Sequence, residues 1–334
     1  MLISLAGATA CAWADDSAAS FGAGGLVARR ETRIVMAKEV LRIGLNEIVV
    51  DYDFCNDTDE DVTTEVAFPE PPFGPGVNAG DPAKADFSDF KLEINGKPAA
   101  YQVEAKAFSN GKDIIDILIK NKLGVDEFCS KFEKLPESER KRMVAMHLFD
   151  GMDEADCWLN WEDHLQYHWT QTFPAHSTTH IRHECTPVSG FSPEWDLKAL
   201  QTALTPALAR TNPKLWKASG ANVISGYCLA PEQIRGLIHK IKTNKHPNEN
   251  YGDFGAKWVD FILTTANTWK KPIEDFTLIV DSAPRSEIDD GPTFMGLCVP
   301  QKAKLVKLDA GHMQVHLTNF VPTAELHIGY FDIN

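Results

Sequence analysis

Five of the chain's 11 histidines fall in one short stretch, HLQYHWTQTFPAHSTTHIRHEC, from His164 to Cys185. Imidazole is the commonest metal ligand and the commonest general base near neutral pH. Metal binding or proton transfer is therefore the first chemistry to weigh. Spacing narrows it. Leu165, Tyr167, Trp169 and Phe173 alternate with polar residues, the period of a strand. His164 and His168 then share the polar face, ~13 Å apart at a rise of ~3.3 Å per residue, too far for one ion. On a helix the same spacing would have made them neighbours.

Pro174-Ala175 marks a turn into a second strand. A register that keeps like faces together pairs His168 with His180 and sets Glu184 opposite His164. Facing Cβ atoms lie ~4.5–5.5 Å apart, close enough for a two-histidine contact. Zinc normally takes three or four protein ligands, and no cysteine or carboxylate is placed to complete the pair. His168 and His180 are therefore the candidate metal residues of one functional reading, a metal-assisted hydrolase. His183 falls on the inward face with Ile181 and Cys185, where a hydrogen-bonded core histidine is expected.

Other constellations are weaker. Asp57, Asp59 and Asp61 resemble the start of a calcium loop, but its sixth position is Val62 and its twelfth Phe68, where glycine and glutamate belong. An Asx turn is expected there. His312 and His316 share one polar strand face. No phosphate-binding glycine loop and no GxSxG nucleophile elbow occurs, and no pattern implies a cofactor. Trp158 and Trp161 cluster ahead of the histidine strand. Core packing is one use for them, and a ligand-facing aromatic surface for a glycan or peptide is the other.

The elements that position these residues are mostly strands. NEIVVDYDFCND and VTTEVAFP both alternate and suggest an antiparallel hairpin. Asn95-Gly96 is the strongest tight-turn signal in the chain. From about Asn121 the texture turns helical, with Val125, Phe128, Cys129, Phe132 and Leu135 on one face. Ser192 and Pro193 predict a helix start, as N-cap and N1. A second helix over APEQIRGLIHKIKTN buries Ile234, Leu237, Ile238 and Ile241. The chain closes in strands.

The expected fold is mainly β, of α+β class. An N-terminal antiparallel β-sandwich covers residues 15–120, and a helical insertion 121–150. A C-terminal β-rich domain covers 151–334, with a helical excursion at about 193–243. The net charge of −14 lacks the basic footprint of nucleic-acid binding. No apolar run is long enough to span a bilayer.

Residues 1–14 have the apolar stretch of a secretory signal, and Ala12-Trp13-Ala14 is its small-x-small cleavage pattern. Export is expected, to the periplasm or beyond. Six cysteines would follow the cut: Cys55, Cys129, Cys157, Cys185, Cys228 and Cys298. An even number in an exported chain suggests disulfides, with 15 possible connectivities. Cys129 and Cys157 flank the helical insertion and could staple its ends.

Several long stretches together resemble a bacterial family known as domain of unknown function 4424, whose members look like exported proteins. They are DDSAASFGAGGLVARRETRIVMAKEVLRI, VDYDFCNDTDEDVTTEVAFPEP, NWEDHLQYHWTQTFPAHSTTHIRHECTPVSG, WVDFILTTANTWKKPIEDFTLIVDSAP and NFVPTAEL. The resemblance implies export and a two-part β-rich fold, and it brings no catalytic residue. It ties Tyr227-Cys228 and Leu297-Cys298 to cysteine-bearing positions, which implies a Cys228–Cys298 disulfide. The leading expectation for function is a non-catalytic envelope binding or interaction module. Its partner would be an envelope protein or a glycan.

Overall fold

Tyr52, Phe54, Tyr167, Trp169 and Phe173 are all buried, and each sits in a strand that alternates apolar and polar residues. That alternation is what the molecule is built on. The computed structural model describes residues 15–22, 25–74, 80–81, 86–87, 89–122, 131–150, 158–244, 252–281, 294–298 and 303–333. The expected signal at 1–14, Cys129, Cys157 and the helical face from Val125 to Cys129 lie outside the described residues.

The strands up to residue 113 are β1 (Ser17–Gly22), β2 (Gly25–Ala28), β3 (Ile34–Ile43), β4 (Ile48–Asn56), β5 (Val62–Pro69), β6 (Gly80–Asp81), β7 (Asp86–Phe87), β8 (Lys91–Ile94), β9 (Lys97–Pro98), β10 (Gln102–Ser109) and β11 (Lys112–Asp113). The middle of the chain adds β12 (Phe149–Asp150), β13 (Trp158–Leu159), β14 (Glu162–Phe173), β15 (Ser177–Cys185) and β16 (Ser189–Trp195). The last are β17 (Phe254–Phe261), β18 (Ile273–Asp281), β19 (Phe294–Leu297), β20 (Val306–Lys307), β21 (His312–Phe320) and β22 (Leu326–Ile333).

Two large sheets face each other. One has six strands in the order β11-β10-β14-β5-β1-β2, the other eight in the order β20-β21-β18-β3-β4-β15-β8-β9. Their inner faces share one apolar core, in which Phe54 meets Phe173 and Phe90 stacks on Tyr167 at 4.1 Å. The mainly-β, α+β expectation holds. The expected division near residue 120 runs through both large sheets, because β14 joins the six-stranded sheet while β18 and β21 join the eight-stranded one.

Both hairpins expected from alternation are crossovers instead. Strand β4 lies in one sheet and β5 in the other, and the same holds for β15 and β14. The two connections meet at one end of the sandwich. Asn56 Nδ2 donates to Phe173 O at 2.8 Å, and Ala175 N donates to Asp61 Oδ1 at 2.8 Å. The acidic turn holds itself through Asn56, whose Oδ1 accepts from Thr58 N and Oγ1. Its aspartates reach further, Asp57 to Lys270 and Asp59 to His176. The Asn95-Gly96 turn forms as expected, both residues with positive φ between β8 and β9.

A third sheet, β16-β17-β22-β19, is backed by the helices between Leu197 and Thr243. Ile234 and Leu237 on Pro231–Thr243 are buried there, with Ile238 and Ile241 packed alongside. The Cys228–Cys298 disulfide ties this helical layer to the residue that follows β19. Cys55 and Cys185 are free thiols. The expected helix start at Ser192-Pro193 is a strand. Edge strand β16 pairs with β17 there, shifts register between Ser192 and Trp195, and the helix begins at Leu197. An edge strand with an irregularity is where a sheet tolerates proline.

Helices Ile115–Asn121 and Glu137–Ala145 pack with Leu148 and Trp161 as a satellite core. Among the described residues, no helix is long and apolar enough to cross a membrane.

One irregularity inside β3 matters for chemistry. Its register on β4 slips between Met36 and Lys38, leaving Ala37 as the extra residue of a bulge. Ile34 and Met36 face inward before the bulge, and Glu39, Leu41 and Ile43 after it. Without the slip, alternation from Met36 would turn Glu39 out to solvent.

Candidate functional site

A cleft of about 1380 Å³ opens on the outer face of the six-stranded sheet. The β10–β14 register sets Lys106 opposite His164 and Glu104 opposite Gln166, so four polar side chains share its floor. Leu26 and Val27 of β2 form one wall. The loop at Pro72-Phe73-Gly74 forms another, pinned by paired backbone bonds between Phe73 and Asp163. Trp161, Phe108 and His147 close the far end.

The floor carries paired rather than free charge. Lys106 Nζ lies 3.3 Å from Glu104 Oε1, and Glu104 Oε2 accepts from Leu26 N at 2.8 Å. His164 lies edge-on to Phe108 at 4.9 Å and 3.9 Å from Glu162. Burial holds its pKa below the usual imidazole value, against the opposing pull of Glu162. It therefore presents a neutral ring, one donor and one acceptor. Aromatic and aliphatic walls around a few fixed polar groups make a site for a ligand with one apolar and one hydrogen-bonding face.

The expected residues land as follows. Trp161 is buried, lines the cleft and packs on the satellite core. Trp158 pairs with Asp150 in a two-residue ladder, and its side chain lies outside the described residues. His168 and His180 are not brought together. His168 pairs across to Gln102 and Ala67 in the six-stranded sheet, and His180 pairs to Asp53 in the eight-stranded one. The expected cross-strand contact fails because 174–176 crosses between sheets, which turns the two polar faces to opposite sides of the sandwich. His168 Nδ1 is held by Glu65 Oε1 at 2.6 Å beneath the ring of Phe21. His180 sits between Asp53 and Asp51, at 3.0 and 3.3 Å. His312 and His316 bond Asp309 and Asp275. Among the described residues, no three of His, Cys, Asp and Glu converge on a point that could hold a metal.

A second polar group is sealed between the sheets. Asp15, Asp16, Glu39 and His183 have no exposed surface. Tyr52 OH donates to Asp15 Oδ1 at 2.6 Å, Asp15 N donates to Thr265 Oγ1 at 2.5 Å, and Trp269 Nε1 donates to Asp16 O at 2.7 Å. His183 Nε2 stands 3.5 Å from Asp16 Oδ1, within rings of Tyr52, Phe68, Phe90 and Trp169. Among the described residues, neither carboxylate oxygen of Asp16 or of Glu39 finds a hydrogen-bond partner.

Burial dominates the electrostatics there. It pushes Asp15 up to about 8, partly countered by Tyr52, and raises Asp16 and Glu39 well above the carboxylate range. It drives His183 down to about 3. The core position expected for His183 is right, but the hydrogen bonds expected for it are missing. Asp15 and Asp16 were legible only as the residues beyond a cleavage pattern. The signal for Glu39 was the break in alternation at Ala37, where apolar positions change from even to odd.

The model of a family described as a domain of unknown function, DUF4424, matches residues 14–328. No curated protein sequence matches the chain. Among solved structures, a candidate nutrient-binding protein of Legionella pneumophila is similar at 14% identity and a TM-score of 0.42, over 96% of this chain and 70% of that one. An M1 zinc metallopeptidase of Deinococcus radiodurans is similar at 8% identity and a TM-score of 0.28, over 90% of this chain and 43% of that one. Both likenesses are too loose to fix a shared fold.

Proposed function

We propose that this chain, which belongs to the DUF4424 family, is an exported, non-catalytic binding module of the cell envelope. Its ligand site is the cleft on the six-stranded sheet, and its ligand a glycan or a peptide segment of an envelope protein. The cleft carries this reading. It is large enough for a small ligand, it pairs aromatic walls with fixed donors and acceptors, and its ion pair is already internally neutralised. The Cys228–Cys298 disulfide accords with an oxidising compartment outside the cytosol.

The test uses the cleft's own wall. Gly74 lines the cleft, and a Cβ added there meets nothing within 4 Å. Gly74→Trp should therefore fill the cleft without straining the fold. The protein is titrated with a panel of soluble oligosaccharides and short peptides, followed by tryptophan fluorescence and calorimetry. Saturable binding by one class is expected, with loss in Gly74→Trp at an unchanged melting midpoint. If no probe binds saturably, or if Gly74→Trp binds as well as the parent, the proposal fails.

A further inference from the structure

The acids sealed between the sheets lack something. Asp15, Asp16 and Glu39 are fully buried, and Glu325 adds a fourth negative influence from the edge, where it accepts from Leu263 N, Thr264 N and Thr264 Oγ1. Among the described residues, the groups that act on them are each other, Tyr52, Glu325 and backbone, with no lysine or arginine. His183 stays neutral in its aromatic box and supplies no charge. A polar cluster this deeply buried is costly while its members lack partners. The four oxygens of Asp16 and Glu39 have none among the described residues.

One atom already in that space becomes a cation when a single bond is cut. It is the backbone nitrogen of Asp15, buried and aimed at Thr265 Oγ1. The residues before it are Ala12-Trp13-Ala14, the small-x-small pattern read by signal peptidases. We propose that the Ala14–Asp15 bond is cut during export and that the new α-ammonium of Asp15 is the missing counter-ion, held by Thr265 Oγ1 and by the carboxyl groups of Asp16 and Glu39.

The step balances. An envelope peptidase adds water across the amide. The carbonyl carbon of Ala14 takes the hydroxyl and leaves as a carboxylate. The nitrogen of Asp15 takes hydrogen and, near neutral pH, a further proton from solvent. One N–H donor becomes three, so the bond to Thr265 is kept and two donors are gained. One acid ionises to match the ammonium, and the others stay protonated and donate in turn. A buried pair of this kind holds only while both partners are present, so removing either one is strongly destabilising. Maturation and stability become one event. The bulge at Ala37 is what turns Glu39 into this core. This inference does not depend on the cleft.

The experiment takes the full chain exported through its own residues 1–14. Mass spectrometry of the mature protein should find Asp15 first. Its α-amine should react with an acylating ester at least about tenfold more slowly in the folded protein than in denaturant, since reaction needs local opening. A mature chain that keeps Ala14 should melt about 4 °C or more lower, and Glu39→Gln should shrink that gap. Several results would overturn the proposal: a mature chain starting elsewhere, an α-amine as reactive folded as unfolded, or no difference on retaining Ala14. So would one tightly bound metal ion per mature chain in place of the ammonium. The reactivity measurement needs no variant, so it decides the matter even if the Ala14-bearing chain fails to fold.

Discussion

The two faces of the six-stranded sheet use the same residue types in opposite ways. On the outer face, each histidine stands by a carboxylate: His164 near Glu162 at 3.9 Å and His168 on Glu65 at 2.6 Å. Beneath the inner face, acids and a histidine sit close together with almost no hydrogen bonds among them. Water explains the difference. Where water reaches, as at His164, a polar pair costs little to form and is worth little; His168, though buried, keeps Glu65 as a direct partner. In the dry core each unpaired group shifts its protonation instead. Titratable residues therefore carry energy in one region and recognition in the other.

The sharpest break in that contrast is Trp269→Ala. This side chain is buried, packs on Phe54 and Phe173, and donates to Asp16 O. Its loss should cost about 3–5 kcal/mol in denaturant unfolding, the range for truncating a buried aromatic.

His183 tests the sealed region by pH. Burial lowers its folded pKa to about 3, below the ordinary imidazole value of 6.5. Between those values the unfolded chain binds a proton that the fold refuses. Its contribution is therefore complete above about pH 6.5 and is lost as pH falls towards 3. The parent should lose roughly a few kcal/mol across that window. His183→Phe, which suits the aromatic box, should flatten this limb of a plot of melting midpoint against pH. An unchanged limb would mean other groups govern acid unfolding.

On the outer face effects shrink. Glu65→Ala strips His168 Nδ1 and Thr170 Oγ1 of their acceptor. The expected loss is about 1–3 kcal/mol, that of a buried polar group left unmade. His176→Ala removes only an exposed partner of Asp59. Its melting midpoint should match the parent within error, and a clear drop would mean the crossover at 174–176 depends on that pair.

Much of this was legible in the sequence, and its limit is instructive. Alternation identified both strands of 48–68 and both of 164–185, and it sorted Tyr167 and Trp169 inward. It did not say which sheet each strand joins. In a sandwich, consecutive strands can pair side by side or face one another across the core, and both choices bury the same apolar set. His168 and His180 were paired on the first choice and belong to the second. Trp161 was open to two uses, core or ligand-facing, and it is buried in the satellite core while also lining the cleft. Glu104 and Lys106 were not, because only the register with β14 sets them beside His164 and Gln166. The early stop of strand alternation at Pro193 misled for a similar reason. Proline starts helices, but it is equally at home in a bulged edge strand.

The parallel pairing of β3 with β18 has a kinetic consequence. It joins Lys38 to Asp275 in the middle of the eight-stranded sheet, and Ala18 N reaches Thr268 Oγ1 across 250 residues of chain. Contacts this distant form late, because the closure entropy falls due before they reward it. The six-stranded sheet has all its strands by Phe173, but the eight-stranded one lacks β18, β20 and β21 until the last part of the chain is made. A chain threaded N-terminus first through a narrow channel could not close its eight-stranded sheet until its last third had emerged.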